Sequence, residues 1–414
     1  VLGLKEILGS RYGCYLAVRL AGGFAVQIEA VAIGWRVYET TGSAFFLGLV
    51  GLAQFLPALL LVLVTGDVAD RFSRRLISII CLVVEAATAL VLALLVEEGL
   101  DHIWLVLALL VVFGTARAFF QPAFQAILPN IVPEEKLPSA IAINSAAQQL
   151  TTITGPVIGG FLFAFAPAAA FLGVVAILLA GLPFAILLPK KVQASVGRDR
   201  DSLMGGFTYI WQQKVVRGAV TLDLFSTLLG GAVALLPIFA RDVLHTGPEG
   251  LGVLRAAPAI GAISVAAWLA YVPIRDHAGV ILLSASVLFG TSIAVFGFSE
   301  IFWVSVVALG FMGAADMISV YVRNTITQLW TPDGLRGRVN AVNSVFIGAS
   351  NELGAFRAGS FAALMGAPAA VIFGGVGAVA ISLAWAWLFP DLRNVRHLKT
   401  PKEPVLAPPE EAHP

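Results

Sequence analysis

Charge is what this sequence has least of. Lys, Arg, Asp and Glu make up 12% of its 414 residues and apolar side chains 58%, where a soluble domain carries about 25% charged residues. That scarcity excludes a water-soluble fold, because there is too little polar surface to cover so much apolar side chain. Cysteine is as sparse. Cys14 and Cys81 both fall in or beside apolar runs, which argues against a disulfide framework and against a thiolate metal centre. The five histidines (His102, His245, His277, His397 and His413) lie in loops or the tail, and none pairs at metal-ligand spacing. No metal and no cofactor is expected. A Gly-x-x-x-x-Gly-Lys-Ser/Thr loop is missing, so neither an enzyme nor a nucleotide-driven pump is expected. The net charge of +1 gives no reason to expect nucleic acid as a partner.

What the chain does have is long apolar runs. A membrane-spanning helix needs about 20 apolar residues. Twelve windows qualify, at about 13–36, 44–65, 76–96, 103–127, 138–165, 168–188, 216–240, 250–272, 278–298, 301–323, 337–365 and 367–389. The breaks carry helix-stopping residues such as Gly42, Pro133, Pro167, Pro332 and Pro390. The first run starts after Arg11 and is too long for a cleavable signal. The fold class expected is therefore an all-α membrane protein with twelve transmembrane helices. An even number of spans puts both termini on one side. Of the 26 Lys and Arg, 19 fall in the termini and in the loops on that side, against two, Arg36 and Arg241, in the loops opposite. The positive-inside bias places both termini in the cytoplasm.

The longest polar interval, 189–215, divides the chain into bundles of six spans at 1–188 and 216–390. Within it Leu203, Met204, Phe207, Ile210 and Trp211 share one helical face, which predicts a cytoplasmic amphipathic helix lying on the inner leaflet, with Asp201 or Ser202 as its cap. The stretch 391–414 ends in Pro and Glu and is expected to be a disordered cytoplasmic tail. The two bundles repeat. Ala142-Ile143-Asn144-Ser145 parallels Ala341-Val342-Asn343-Ser344 at an offset of 199 residues, as do Pro133 and Pro332, Gly155 and Gly354, Gly160 and Gly359, and Arg117 and Asp316. Such a parallel predicts pseudo-symmetric halves with a site between them near the bilayer midplane.

The polar stretch Gly66-Asp67-Val68-Ala69-Asp70-Arg71-Phe72-Ser73-Arg74-Arg75 resembles the signature loop of the major facilitator superfamily. Arg117-Ala-Phe-Phe-Gln-Pro-Ala-Phe-Gln-Ala, Asn144-Ser145 and Asn351-Glu352-Leu-Gly-Ala-Phe-Arg357 look like the branch of bacterial enterobactin (siderophore) exporters. The resemblance implies a secondary transporter of the bacterial inner membrane, a monomer working among membrane lipid, with a small-molecule substrate and protons as its partners. It also implies a conformational latch. Asp70, with Gly66, Arg71, Arg74 and Arg75, would hold the positive N-terminal end of the eleventh span, near Asp333, when the cytoplasmic side is closed. Gly66 is expected to let the backbone turn sharply. Gly155-Pro156-x-x-Gly159-Gly160 resembles the motif of facilitator antiporters, and the same residues also suit close helix packing.

An ionisable residue at mid-membrane costs at least about 2.5–3.5 kcal/mol on insertion scales, so each needs a reason. The charges within spans are Arg19, Glu29, Glu85, Arg117, Asp223, Arg255, Asp316, Arg323, Glu352 and Arg357. Glu29 and Glu352 are candidate proton carriers. Arg19, Arg117 and Arg357, with Asp223 and Asp316, are candidate substrate contacts; pairing of Arg117 with Asp316 and of Arg19 with Asp223 across the pseudo-twofold axis is the structural alternative. Three functions fit these residues: proton-coupled export by alternating access of a siderophore or similar small organic molecule, facilitated import or symport of a nutrient, and a non-transporting membrane sensor with the same fold. The intramembrane carboxylates and the antiporter-type run favour the first.

Overall fold

The computed structural model describes residues 10–97, 102–133, 136–190, 201–274 and 276–398. The chain is all-helical among these residues. Its long helices are α1 (Arg11–Thr41), α2 (Ala44–Arg71), α3 (Arg74–Glu97), α4 (Ile103–Gln125), α5 (Leu137–Phe165), α6 (Pro167–Leu187), α7 (Asp201–Gln212), α8 (Lys214–Gly230), α9 (Pro248–Tyr271), α10 (Ala278–Phe298), α11 (Phe302–Trp330), α12 (Asp333–Met365) and α13 (Ala367–Leu388). Ten helices are long and apolar enough to cross a membrane. The three outside that count are the short linker helix α7 and the long helices α5 and α12, which bear Asn144, Gln148, Gln149 and Asn343, Asn351, Glu352 respectively.

Local chemistry sets the ends. The Ser10 hydroxyl accepts from the Gly13 N–H and caps α1. Gly42 (φ 59°) ends α1 in the left-handed conformation, where a Cβ is disfavoured. Pro167, Pro248, Pro368 and Pro390 stand in the first turns of their helices, where a missing N–H costs nothing.

Within the first six long helices, α1 packs on α5 and α6, α3 on α4 and α6, and α2 on α4; in the later set α8 packs on α12 and α13, α9 on α11, and α10 on α11 and α13. The two most extensive contacts between the sets are α2 with α12 and α5 with α9. Glycines bring the backbones together in both. A Cβ on Gly48 would stand 3.2 Å from the Phe356 backbone and one on Gly359 2.7 Å from the Ala44 carbonyl. A Cβ on Gly160 would stand 2.4 Å from the Pro248 carbonyl and one on Gly252 2.5 Å from the Pro156 carbonyl. Real Cβ contacts are rarely as close as the first of these and essentially never as close as the other three, so the backbones approach there because these residues have no side chain. All four glycines lie toward the end of the molecule that carries Gly42 and the Gly247-Pro248 turn.

Several expectations need correction. The window 216–240 is not one helix. It stops at Gly231 (φ 36°) and continues as a 3-10 turn (Ala232–Leu235), one α turn (Leu236–Ile238) and a π turn (Phe239–Val243). Gly66 makes no turn: α2 runs straight through it to Arg71, and a Cβ there would meet nothing within 4 Å. The chain beyond Pro390 is ordered as far as 398. Leu392 and Val395 are buried, and the carbonyls of Arg396 and Val395 accept from the N–H groups of Ala278 and Gly279, capping the start of α10. Residues 399–414 lie outside the described residues. The linker helix α7 is present but docks on protein: Gly206 meets the Arg338 backbone, Ile210 is fully buried, and the Tyr209 hydroxyl donates to the Trp330 carbonyl. Phe207 and Trp211 stack on each other on its exposed side. The side chains of 201–204 lie outside the described residues.

Candidate functional site

Beneath the glycine contacts, on the side away from Gly42, the two sets of helices enclose a cavity of about 360 Å³. Gln27 reaches it from α1, Gln149 and Thr152 from α5, Arg255 and Pro258 from α9, Phe289 from α10, and Met312 and Asp316 from α11, with Val233 from the turn after Gly231. Asp316 and Arg255 are the charged groups in its lining. Asp316 is accessible to a water-sized molecule despite its depth in the protein. The Gln149 amide donates to the Ala259 carbonyl at 3.2 Å, tying α5 to α9 at the cavity wall.

The intramembrane charges fall into three groups. In the first, Glu29, Glu85 and Arg117 come together from α1, α3 and α4. Glu29 and Glu85 are 1% and 0% exposed, their four carboxylate oxygens have no hydrogen-bond partner among the described residues, and Arg117 Nη1 stands 4.0 Å from Glu85 Oε2. Arg19 is an electrostatic neighbour of Arg117. In the second, Arg323 pairs with Asp223, with Asp316 an electrostatic neighbour of both. In the third, Arg255 and Glu352 are electrostatic neighbours, and a Cβ on Gly51 would stand 2.9 Å from Glu352 Oε2. The Glu352 carboxylate therefore faces the α2 backbone at Gly51 and has the cavity arginine as its electrostatic neighbour.

The structure thus does not pair Arg117 with Asp316, or Arg19 with Asp223. Arg117 stands beside Glu85 and Arg19, and Asp316 beside Asp223 and Arg323, so each has its charged neighbours within its own set of helices. Glu29 turns away from the cavity toward Glu85, while Gln27, two residues earlier, faces it. Arg357 turns two of its nitrogens to the end of α8: Nε donates to the Leu228 carbonyl at 3.0 Å and Nη2 to the Leu229 carbonyl. Those carbonyls lose their helical partners at the Gly231 break, so the guanidinium replaces them.

In the signature loop, Arg74 donates to the Ala69 carbonyl and, at 2.9 Å, to the Ala126 carbonyl, and Arg75 to the Leu188 carbonyl. These bonds fasten the turn to the ends of α4 and α6. Arg71 is exposed at the end of α2. The side chains of Asp70 and Asp333 lie outside the described residues. The antiporter-type run is a junction of three helices, with Gly155 and Gly159 against Gln27 and Ile28 of α1 and Gly160 against α9. Sequence reasoning noted Arg255, Glu85 and Arg323 as intramembrane charges but gave them no site role; the signal was their depth, and what was missing was the partner each one faces.

Residues 14–410 match the family described as transmembrane secretion effector. The chain belongs to that family. It is a membrane transporter of the major facilitator superfamily, not an enzyme, and it resides in the inner membrane. The transporter is 27% identical over 389 residues to the enterobactin exporter EntS of Citrobacter koseri, covering 90% of this chain and 88% of the relative. It is 28% identical over 370 residues to the multidrug efflux pump Tap of Mycolicibacterium fortuitum, covering 84% and 88%. Among solved structures its fold is that of the nucleoside transporter NupG, with a TM-score of 0.71 at 13% identity, covering 92% of this chain and 99% of that one.

Proposed function

We propose that this transporter exports a siderophore or similar small organic molecule in exchange for protons, by alternating access of one cavity between two six-helix halves. In this reading all twelve long helices outside α7 span the membrane, with α8 and its continuation to Val243 counted as one span. Both termini are cytoplasmic, so the Gly42 end faces outward. The glycine contacts then close the outer side, and the cavity beneath them faces inward.

The observation that carries the proposal is the position of Glu352. Its carboxylate faces Gly51 of α2, which belongs to the closed side, and has Arg255, which lines the cavity, as its electrostatic neighbour. A proton on Glu352 removes a negative charge near Arg255 and a half-buried charge from the α2–α12 contact together, which links protonation to the contact that must part. Glu29, held with Glu85 and Arg117 inside the first half, is the second carrier. The relatives named for export support the outward direction.

The test is accumulation of labelled siderophores, one catecholate and one amine-bearing hydroxamate, in inside-out vesicles with and without an inward-acid gradient. Wild type should accumulate label only with the gradient, and Glu352→Gln or Glu29→Gln should reduce accumulation at least tenfold. Gradient-driven accumulation that survives both substitutions refutes these carriers. Absence of wild-type accumulation with folded protein removes siderophores as substrates.

A further inference from the structure

The charges around the cavity do not cancel. Two arginines, Arg255 and Arg323, stand with three carboxylates, Asp223, Asp316 and Glu352, an excess of one negative charge. Arg323 contacts Asp223 directly, Arg255 and Glu352 are electrostatic neighbours, and Asp316, with no ion pair within 4 Å among the described residues, is the carboxylate that opens into the cavity. The neighbouring Asp223 adds negative potential, and the Arg323 charge between the two acids is committed to Asp223 by direct contact. Arg357 is not in the cavity lining; its Nε and Nη2 donate to carbonyls at the negative end of α8. In a wall of low dielectric one uncompensated carboxylate sets the sign of what binds.

We infer that the cavity selects organic cations, and that Asp316 receives the positive group of the transported molecule. This inference rests on the cavity being the transport site. Gln27, Gln149 and Thr152 supply donors and acceptors for the polar part of such a ligand, and Phe289 and Met312 supply an apolar wall for its body. An anion would meet the opposite arrangement: to reach Arg255 it must compete with Glu352 while standing near Asp316. Within the siderophores, molecules bearing a free amine fit, and fully anionic catecholates do not.

The test compares two ions of the same size and shape and opposite charge. Binding of labelled tetraphenylphosphonium and tetraphenylborate to the purified transporter in nanodiscs is measured at equilibrium, with binding to empty discs subtracted. Tetraphenylphosphonium should bind saturably, at least tenfold tighter than tetraphenylborate. Asp316→Asn should weaken it at least tenfold, and Asp316→Glu should stay within threefold of wild type. Equal or tighter binding of the borate overturns the inference on wild-type protein alone, whether or not the variants fold. Phosphonium binding unchanged in folded Asp316→Asn also overturns it. Equilibrium binding needs no gradient, so failure here leaves proton coupling standing, and failure of coupling in vesicles leaves the cation preference standing.

Discussion

Asp223 and Arg323 form a directly contacting ion pair deep in the molecule, at 12% and 3% side-chain exposure. Neither is worth its desolvation alone. Removing one partner of a buried pair leaves the other uncompensated, which costs about 3–5 kcal/mol, whereas replacing both by apolar groups of similar volume is often neutral. Arg323→Met should therefore lower the melting temperature of the detergent-solubilised protein substantially, and Asp223→Leu added to it should recover most of the loss. A double variant no more stable than the single one would show that the pair does not act as a unit. The sequence shows that such charges are deep and therefore meaningful. It does not show pairing, because the offset of 199 residues relates Arg117 to Asp316 by symmetry, while contact depends on which face of α4 and of α11 each side chain occupies.

At the scale of elements, hydrophobic run length is legible and helix continuity is not. The windows beginning at 44, 103, 278 and 367 start within one residue of α2, α4, α10 and α13, since apolar runs bounded by Gly and Pro leave little choice of where a helix ends. The break in the seventh window is invisible to run length, because Ala232 to Ala240 is as apolar as a helix. The residues that mark it are Gly230-Gly231 and Pro237, ordinary in membrane helices. Its cause is tertiary. Gly231 is left-handed, a Cβ on it would stand 2.5 Å from the Gly354 carbonyl, and Arg357 of the same helix binds the carbonyls freed by the break. Gly231→Ala meets both a disfavoured φ and that clash, so a loss of roughly 1–3 kcal/mol is expected from the backbone strain alone. A thermal melt of the purified variant measures it. A variant as stable as wild type would mean that α12 can withdraw from the break at no cost.

The best-matched stretches of the repeat lie on α5 and α12, and each packs against a helix of the other set, α5 on α9 and α12 on α2. Matching sequence thus coincides with the two largest contacts between the sets, and these seams carry glycine at one end. If the halves move as rigid bodies, a single covalent link across that end is enough to stop turnover, because neither half can bend to relieve it. Phe45 on α2 and Phe356 on α12 have ring centroids 6.0 Å apart across this seam. With Cys14 and Cys81 replaced by Ser, Phe45→Cys and Phe356→Cys joined by a short thiol-specific cross-linker should lower transport at least tenfold, and reduction should restore it. Each single cysteine treated with the same reagent controls for the loss of its phenyl ring. Transport that continues through the intact cross-link would mean that α2 and α12 never part at this end, and substrate would then have to leave by a route other than the one the glycine seams close.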